Sequence, residues 1–280
     1  MAMNRKRIIG ICLIIVFSVS AVVSGRLFWK EYRDAKASEE AFSSLAGLVQ
    51  DTEQNGGEDG STGDCTDATG IGTPDNDEVL SDEEMAAEEA AKAYEKYGAL
   101  YEQNNDFVGW IQIDGTNINY PVMQTPDNPD YYLKHSFEKT WSDYGVPYLD
   151  EACVIGQSNN LVIYGHHMSN GSMFCDLEMY SDPAFCEEHP AIRFDTLASF
   201  GEYEVIAVFR YNTNRETFRY DREVNMDETR FSWFMEQVHA RELFSTGKDA
   251  SFGDQLLTLS TCEYTYKNGR LVVVARKVVQ

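Results

Sequence analysis

Basic residues are scarce in this chain. Its 280 residues hold 23 lysines and arginines against 46 aspartates and glutamates, a formal net charge of −23. A surface with that balance has little with which to neutralise phosphates, which excludes nucleic acid as a partner. No two cysteines stand in a CxxC arrangement, so a zinc ribbon or a thioredoxin-like motif lacks its ligand frame. Neither a metal nor a cofactor is expected. No internal repeat is visible, and only one long uncharged apolar run exists. What is present suffices for a core: 43% of residues are hydrophobic and 12% aromatic, which excludes a wholly disordered chain. The length allows one large domain or two small ones.

Charge divides the chain into three. Residues 1–33 carry six basic residues and one acidic, residues 34–91 one basic and 17 acidic, and residues 92–280 16 basic and 28 acidic. The run 8–25 is uncharged, and as a helix its 18 residues reach about 27 Å, just enough to span a bilayer. Arg5, Lys6 and Arg7 precede it. Residues 1–33 are therefore expected to form a cytoplasmic tip and a single-pass signal-anchor, with the rest of the chain outside the cell. The alternative is a cleaved signal peptide, for which Val22-Val23-Ser24 offers small residues near a cut. The apolar run is longer than the roughly 7–15 residues usual in such a segment. Residues 34–81 are expected to be an acidic extracellular linker, helical over 34–50. From 51 to 80 it is dominated by Gly, Asp, Thr, Ser and Asn, a composition that suits a spacer.

The remaining residues, 82–280, read as one domain. Ser81 and Glu84 have the spacing of a capping box, and the Ala-, Glu- and Lys-rich segment after them predicts a helix to about residue 101. Short strand-like runs follow at 107–113, 116–122, 146–149, 161–164, 191–195, 203–211, 255–260 and 271–277. Asp114-Gly115 marks a two-residue turn between the first two. Eight such strands predict a mostly β fold, an eight-stranded barrel preceded by a helix. A long helix is inserted between late strands. It is predicted over 227–244, where Phe231, Phe234, Met235, Val238 and Leu243 recur at helical spacing and Gly247 offers a C-cap. Cys153, Cys175 and Cys186 leave two readings open, one disulfide plus a thiol or three free cysteines.

Three residue types stand where chemistry could use them. Cys262 closes the run Leu256-Leu257-Thr258-Leu259-Ser260-Thr261, and a thiol at a strand end on a rigid scaffold suits a nucleophile. His166 and His167 end another strand-like run, just past Gly165. Adjacent histidines on a strand face opposite ways, which argues against a shared metal. Arg270 lies eight residues after Cys262, across a turn, where a guanidinium could hold an oxyanion. His135, His189 and His239 sit in polar or helical contexts with no partner pattern.

Together these residues resemble a known family. Thr258-Leu259-Ser260-Thr261-Cys262 followed by Arg270 resembles the sortase signature, and Tyr164-Gly165-His166 matches the sortase histidine motif. The resemblance extends through Gly109-Trp110-Ile111, Tyr120-Pro121-Val122-Met123-Gln124, Asp127-Asn128, Tyr131-Tyr132-Leu133 and Pro147-Tyr148-Leu149-Asp150. Serine before the second threonine of the signature, the helix ahead of the barrel and the long late helix are similar to class B sortases.

The resemblance implies a cysteine transpeptidase of Gram-positive cell surfaces. Such an enzyme cleaves a C-terminal sorting signal after threonine and passes the acyl group to a peptidoglycan precursor amine. Cys262 would be the nucleophile, His166 the acid and base, and Arg270 the oxyanion partner. Ser260 and Glu263 would line the substrate groove. Its partners would be surface proteins bearing the sorting signal, the wall precursor and the membrane. Tyr264 stands where some class B members carry an acidic residue. Two alternatives remain: a class B-like enzyme that joins pilins through a lysine, and a catalytically silent surface module.

Overall fold

The computed structural model describes residues 5–55, 81–263 and 268–278. Of residues 5–13, 51, 53–55 and Glu263 it describes the backbone alone. The chain separates into two units, Met1–Ser43 and Ser44–Gln280.

The described part of the first unit lies within α1 (Arg5–Asn55), an uninterrupted helix of 51 residues. The apolar run and the helix expected over 34–50 are therefore one element. Ile14, Ile15, Phe17, Val19, Val22 and Val23 on it are exposed. Among the described residues, no helix is long and apolar enough to cross a membrane, so the expected single-pass span is not shown. The expected spacer falls mostly on residues 56–80, outside the described residues, as does Cys65. Its first five residues continue α1.

The second unit carries a closed barrel behind α2 (Asp82–Gln103). The capping box forms as predicted: Glu84 N–H donates to Ser81 Oγ at 3.3 Å, and Ser81 N–H donates to the Glu84 carboxylate at 2.9 Å. Helix α2 buries Ala93, Tyr97, Gly98 and Leu100. Tyr97 stacks obliquely on Phe107 and donates its hydroxyl to Asp195 at 2.6 Å, which ties the helix to the barrel wall.

All eight predicted strands are present. They are β1 (Phe107–Gln112), β2 (Asn119–Met123), β3 (Tyr148–Leu149), β4 (Asn160–Gly165), β5 (Ala191–Thr196), β6 (Glu202–Asn212), β7 (Leu256–Glu263) and β8 (Gly269–Lys277). They close in the order β1-β2-β3-β4-β7-β8-β6-β5, with β5 returning to β1. The pairs β2–β3 and β4–β7 are parallel. Ile111, Val162, Ile163, Leu257, Leu259, Val272, Val273 and Val274 are all fully buried; because neighbours along a strand face opposite ways, the wall is covered on its outer face as well as filled inside. Each such side chain stabilises the fold by about 1.5–3 kcal/mol relative to exposure.

Two predicted elements are corrected. The turn between β1 and β2 is wider than the two residues Asp114-Gly115. Ile113 N–H donates to Ile118 O at 2.9 Å across it, and Thr116 folds back onto Ile113 O. The late helix, α4 (Glu228–His239), has 12 residues and stops well before Leu243 and Gly247. Between them the chain covers an open stretch of β6: Leu243 N–H donates to Val208 O at 2.8 Å and Thr246 Oγ1 donates to Ile206 O at 2.6 Å. Buried strand carbonyls need donors, and that demand overrides the helical spacing of one leucine. Unforeseen by the sequence is α3 (Pro183–Glu188), capped by Asp182.

Candidate active site

Strand β7 is the backbone of the site. Its alternation puts Thr258, Ser260 and Cys262 on one face and Leu257, Leu259 and Thr261 on the other. Strand β8 folds back beside it, and the register sets Cys262 directly opposite Arg270. The segment 264–267 at the tip of this hairpin, including Tyr264, lies outside the described residues. Arg270 is half-buried and donates Nη1–H to the Gly269 carbonyl at 2.9 Å. Its neighbour on the other side is Tyr211 of β6.

Strand β4 runs parallel to β7 on the opposite edge, and Gly165 pairs with Thr261. The Thr261 hydroxyl donates to the Gly165 carbonyl at 2.9 Å. His166 therefore leaves its strand one residue past that contact, while Cys262, the residue after Thr261, is still on β7. Residue 165 has to be glycine for a local reason: a Cβ there would come within 2.5 Å of the Phe174 ring.

His166 is partly buried, and its Nε2 lies 2.7 Å from the Leu133 carbonyl. Burial, which disfavours the charged ring, holds its pKa below the ordinary 6.5. The Leu133 carbonyl works in the opposite direction. Lys134 and Arg270 also push it down, while Asp143 pushes it up. His167 faces elsewhere, with Nε2 3.4 Å from Cys175 Sγ, in keeping with opposed side chains. His239, without a partner pattern in the sequence, bridges Glu242 and Asp249 at 3.0 and 2.9 Å.

The other predicted site residues sit close by. Ser260 is 2% exposed, and its hydroxyl is 2.7 Å from the Tyr220 hydroxyl. Glu263 ends β7 opposite Gly269, its side chain undescribed. Among the described residues, no group of three or more His, Cys, Asp or Glu is placed to hold a metal. Cys153, Cys175 and Cys186 are free, the second of the two readings left open for them, and Cys262 is free as well. The sequence reading missed Leu133, whose carbonyl holds His166, and Tyr220, which covers Ser260. A backbone contact leaves no residue-type signal, and Tyr220 reaches Ser260 across 40 positions.

The family model for the Sortase domain matches residues 111–278, more than half of the chain. The chain belongs to the sortase family, in its class B branch. Two curated relatives are the Sortase B proteins of Listeria monocytogenes and Staphylococcus aureus. Each is 33% identical, over 184 and 186 residues, covering 65% of this chain and 73% and 74% of theirs. Among solved structures, sortase B from Bacillus anthracis in complex with AAEK1 aligns with a TM-score of 0.59 at 34% identity. That alignment covers 66% of this chain and 85% of the other. Staphylococcus aureus Sortase B aligns with a TM-score of 0.60 at 30% identity, covering 66% and 87%. A sortase is a cysteine transpeptidase, and the barrel described above is the sortase fold. In this sortase the β4–β7–β8 register gathers a thiol, an imidazole and a guanidinium at one end of the barrel.

Proposed function

We propose that this sortase cleaves a C-terminal sorting signal after threonine and transfers the acyl fragment to an amine of a peptidoglycan precursor, with Cys262, His166 and Arg270 as its catalytic residues. The observation that carries the assignment is the register that sets Arg270 opposite Cys262 while Thr261 pairs with the residue before His166.

The chemistry then runs in two halves. Cys262 passes its thiol proton to His166, and Sγ attacks the threonine carbonyl carbon, forming a C–S bond. The Arg270 guanidinium stabilises the oxyanion that develops. The C–N bond breaks, and the leaving amine takes a proton from His166. A histidine held below its ordinary pKa by burial gives up that proton readily. The thioester keeps the acyl group reactive, so an incoming amine can attack it without further activation. His166 accepts the proton of that amine, the new C–N bond forms and the thiolate leaves.

Ser260 and Glu263 flank the nucleophile and border the groove for the sorting signal. Because Ser260 is bonded to Tyr220, its contribution is to fix the groove wall. Residues 82–280 form the catalytic domain, 34–81 the acidic linker and 1–33 a single-pass membrane anchor with the catalytic domain outside the cell. Support for the anchor comes from the uncharged run 8–25 and from the exposed apolar side chains that α1 carries from Ile14 to Val23.

The test uses quenched peptides varied around Pro-x-Thr, each with and without a glycine or diaminopimelate-type amine, and products identified by mass. Cleavage after threonine with an amine-linked product, absent in Cys262→Ala, is expected. Turnover that survives Cys262→Ala would sink the assignment. A product formed on a pilin lysine but on no wall amine would redirect it to pilin joining.

A further inference from the structure

Among the described residues, His166 is held by a backbone carbonyl and not by a side chain. Its Nε2 lies 2.7 Å from the Leu133 carbonyl, and a carbonyl can only accept, so Nε2 carries the hydrogen. Nδ1 is then the ring nitrogen left to exchange protons.

The carbonyl itself is fixed with unusual care for a loop. Residues Tyr131–Leu133 form a single 3-10 turn, and Leu133 N–H donates to Asp130 O at 3.0 Å. Asp130 sits in the left-handed region at φ 60°. Its carboxylate accepts from the Tyr148 hydroxyl at 2.7 Å, so β3 anchors the start of the turn. Tyr148 in turn pairs in register with Tyr164 of β4, two residues before His166, with ring centres 5.4 Å apart. The far side of the turn is closed by the segment 142–146. Ser142 N–H donates to Lys134 O at 2.9 Å and Val146 N–H donates to Tyr132 O at 3.0 Å. Gly145, at φ 61°, lies flat against this turn. A Cβ there would strike the Tyr132 carbonyl and come within 2.8 Å of Leu133 O.

We propose that Tyr148 and Gly145 are positioning residues for His166: they hold the Leu133 carbonyl against Nε2–H, which presents Nδ1 to the reacting groups. The inference rests on the reading of His166 as acid and base. The charged groups that face the ring are Lys134 and Asp143 from the clasping loop, paired with each other at 3.2 Å, and Arg270 from β8. The register of β4 and β7 places Cys262 on the neighbouring strand, one residue past Thr261, the partner of Gly165. Burial keeps the Tyr148 phenol protonated, so it remains a donor to Asp130 throughout the working pH range.

The test reads the ring directly. The 280-residue chain in detergent, with 15N-labelled histidine, gives side-chain nitrogen shifts for His166, assigned by the signal lost in His166→Ala. Wild-type protein is expected to show an Nε2–H tautomer and a titration below 6.5. Tyr148→Phe keeps the ring and removes only the hydroxyl. It is expected to mix the tautomers, to move the titration further down because the carbonyl that favours the charged ring is loosened, and to lower kcat about tenfold, a fraction of what acid–base catalysis supplies. KM should stay within about twofold. Gly145→Ala should act in the same direction. Asp130→Asn, whose amide oxygen still accepts, should behave like wild type, and Asp130→Ala like Tyr148→Phe. An Nδ1–H tautomer in the wild type overturns the proposal. So does a Tyr148→Phe variant with reduced thermal stability but unchanged His166 shifts and kcat. Full turnover in His166→Ala would instead remove the acid–base reading, while the tautomer would still report whether Leu133 holds the ring.

Discussion

At the scale of single residues, the site separates into what side-chain identity encodes and what backbone placement supplies. Cys262 and Arg270 were legible because a strand, a turn and a second strand force residues eight apart into opposite register. His166 was legible from a strand ending in Gly-His. The Leu133 carbonyl was not, since every residue carries a carbonyl and only the fold decides which one meets a ring nitrogen. Arg270 gives the sharpest residue-scale prediction. Its guanidinium is planar and offers several donors in fixed directions, whereas lysine offers one compact charge on a flexible stem. Arg270→Lys is expected to lower kcat about 10²-fold, in line with the loss of an oxyanion donor, while KM changes little. Steady-state kinetics on a cleaved peptide measures this. Near-normal kcat would mean that the oxyanion is held by other groups.

Among the elements, strands were easier to read than helix ends. Alternation and turn residues located all eight strands, and the capping box of Ser81 and Glu84 located the start of α2. The end of α4 differs from the sequence expectation because Leu243 keeps the helical period while its N–H serves another partner, the Val208 carbonyl of β6. The chain beyond α4 is held by His239, which reaches Glu242 just past the helix and Asp249 in the next loop. Both carboxylates raise its pKa above the ordinary 6.5, Asp249 first. A folded-state pKa raised in this way contributes stability that is fully present below about pH 6.5 and lost as pH rises through the higher folded value. His239→Gln is therefore expected to lower the melting temperature at pH 5.5 and to leave it almost unchanged at pH 9. The effect should be modest, because a third of the side chain is exposed and solvent screens the pairs. Equal losses at both pH values would assign His239 a packing role instead.

For the whole molecule, composition and burial divide the region before the barrel in different places. By composition, everything from residue 34 to 81 reads as acidic linker. Burial places a different boundary, since Leu45 and Val49 near the end of α1 are 6% and 7% exposed and belong to the same unit as the barrel. The last turns of α1 therefore act as part of the folded unit. That distinction predicts opposite outcomes for two changes only a few residues apart. Replacing residues 56–80 with a Gly/Ser segment of equal length removes seven acidic residues. It is expected to leave kcat/KM on a soluble peptide and the melting temperature within error of the parent. Leu45→Ala removes a buried side chain and is expected to cost about 2–3 kcal/mol of stability, read as a fall in melting temperature. A large loss of activity on the soluble peptide after the Gly/Ser replacement would show that the acidic stretch contributes to turnover itself. An unchanged melting temperature in Leu45→Ala would return the boundary to the position that composition alone assigns.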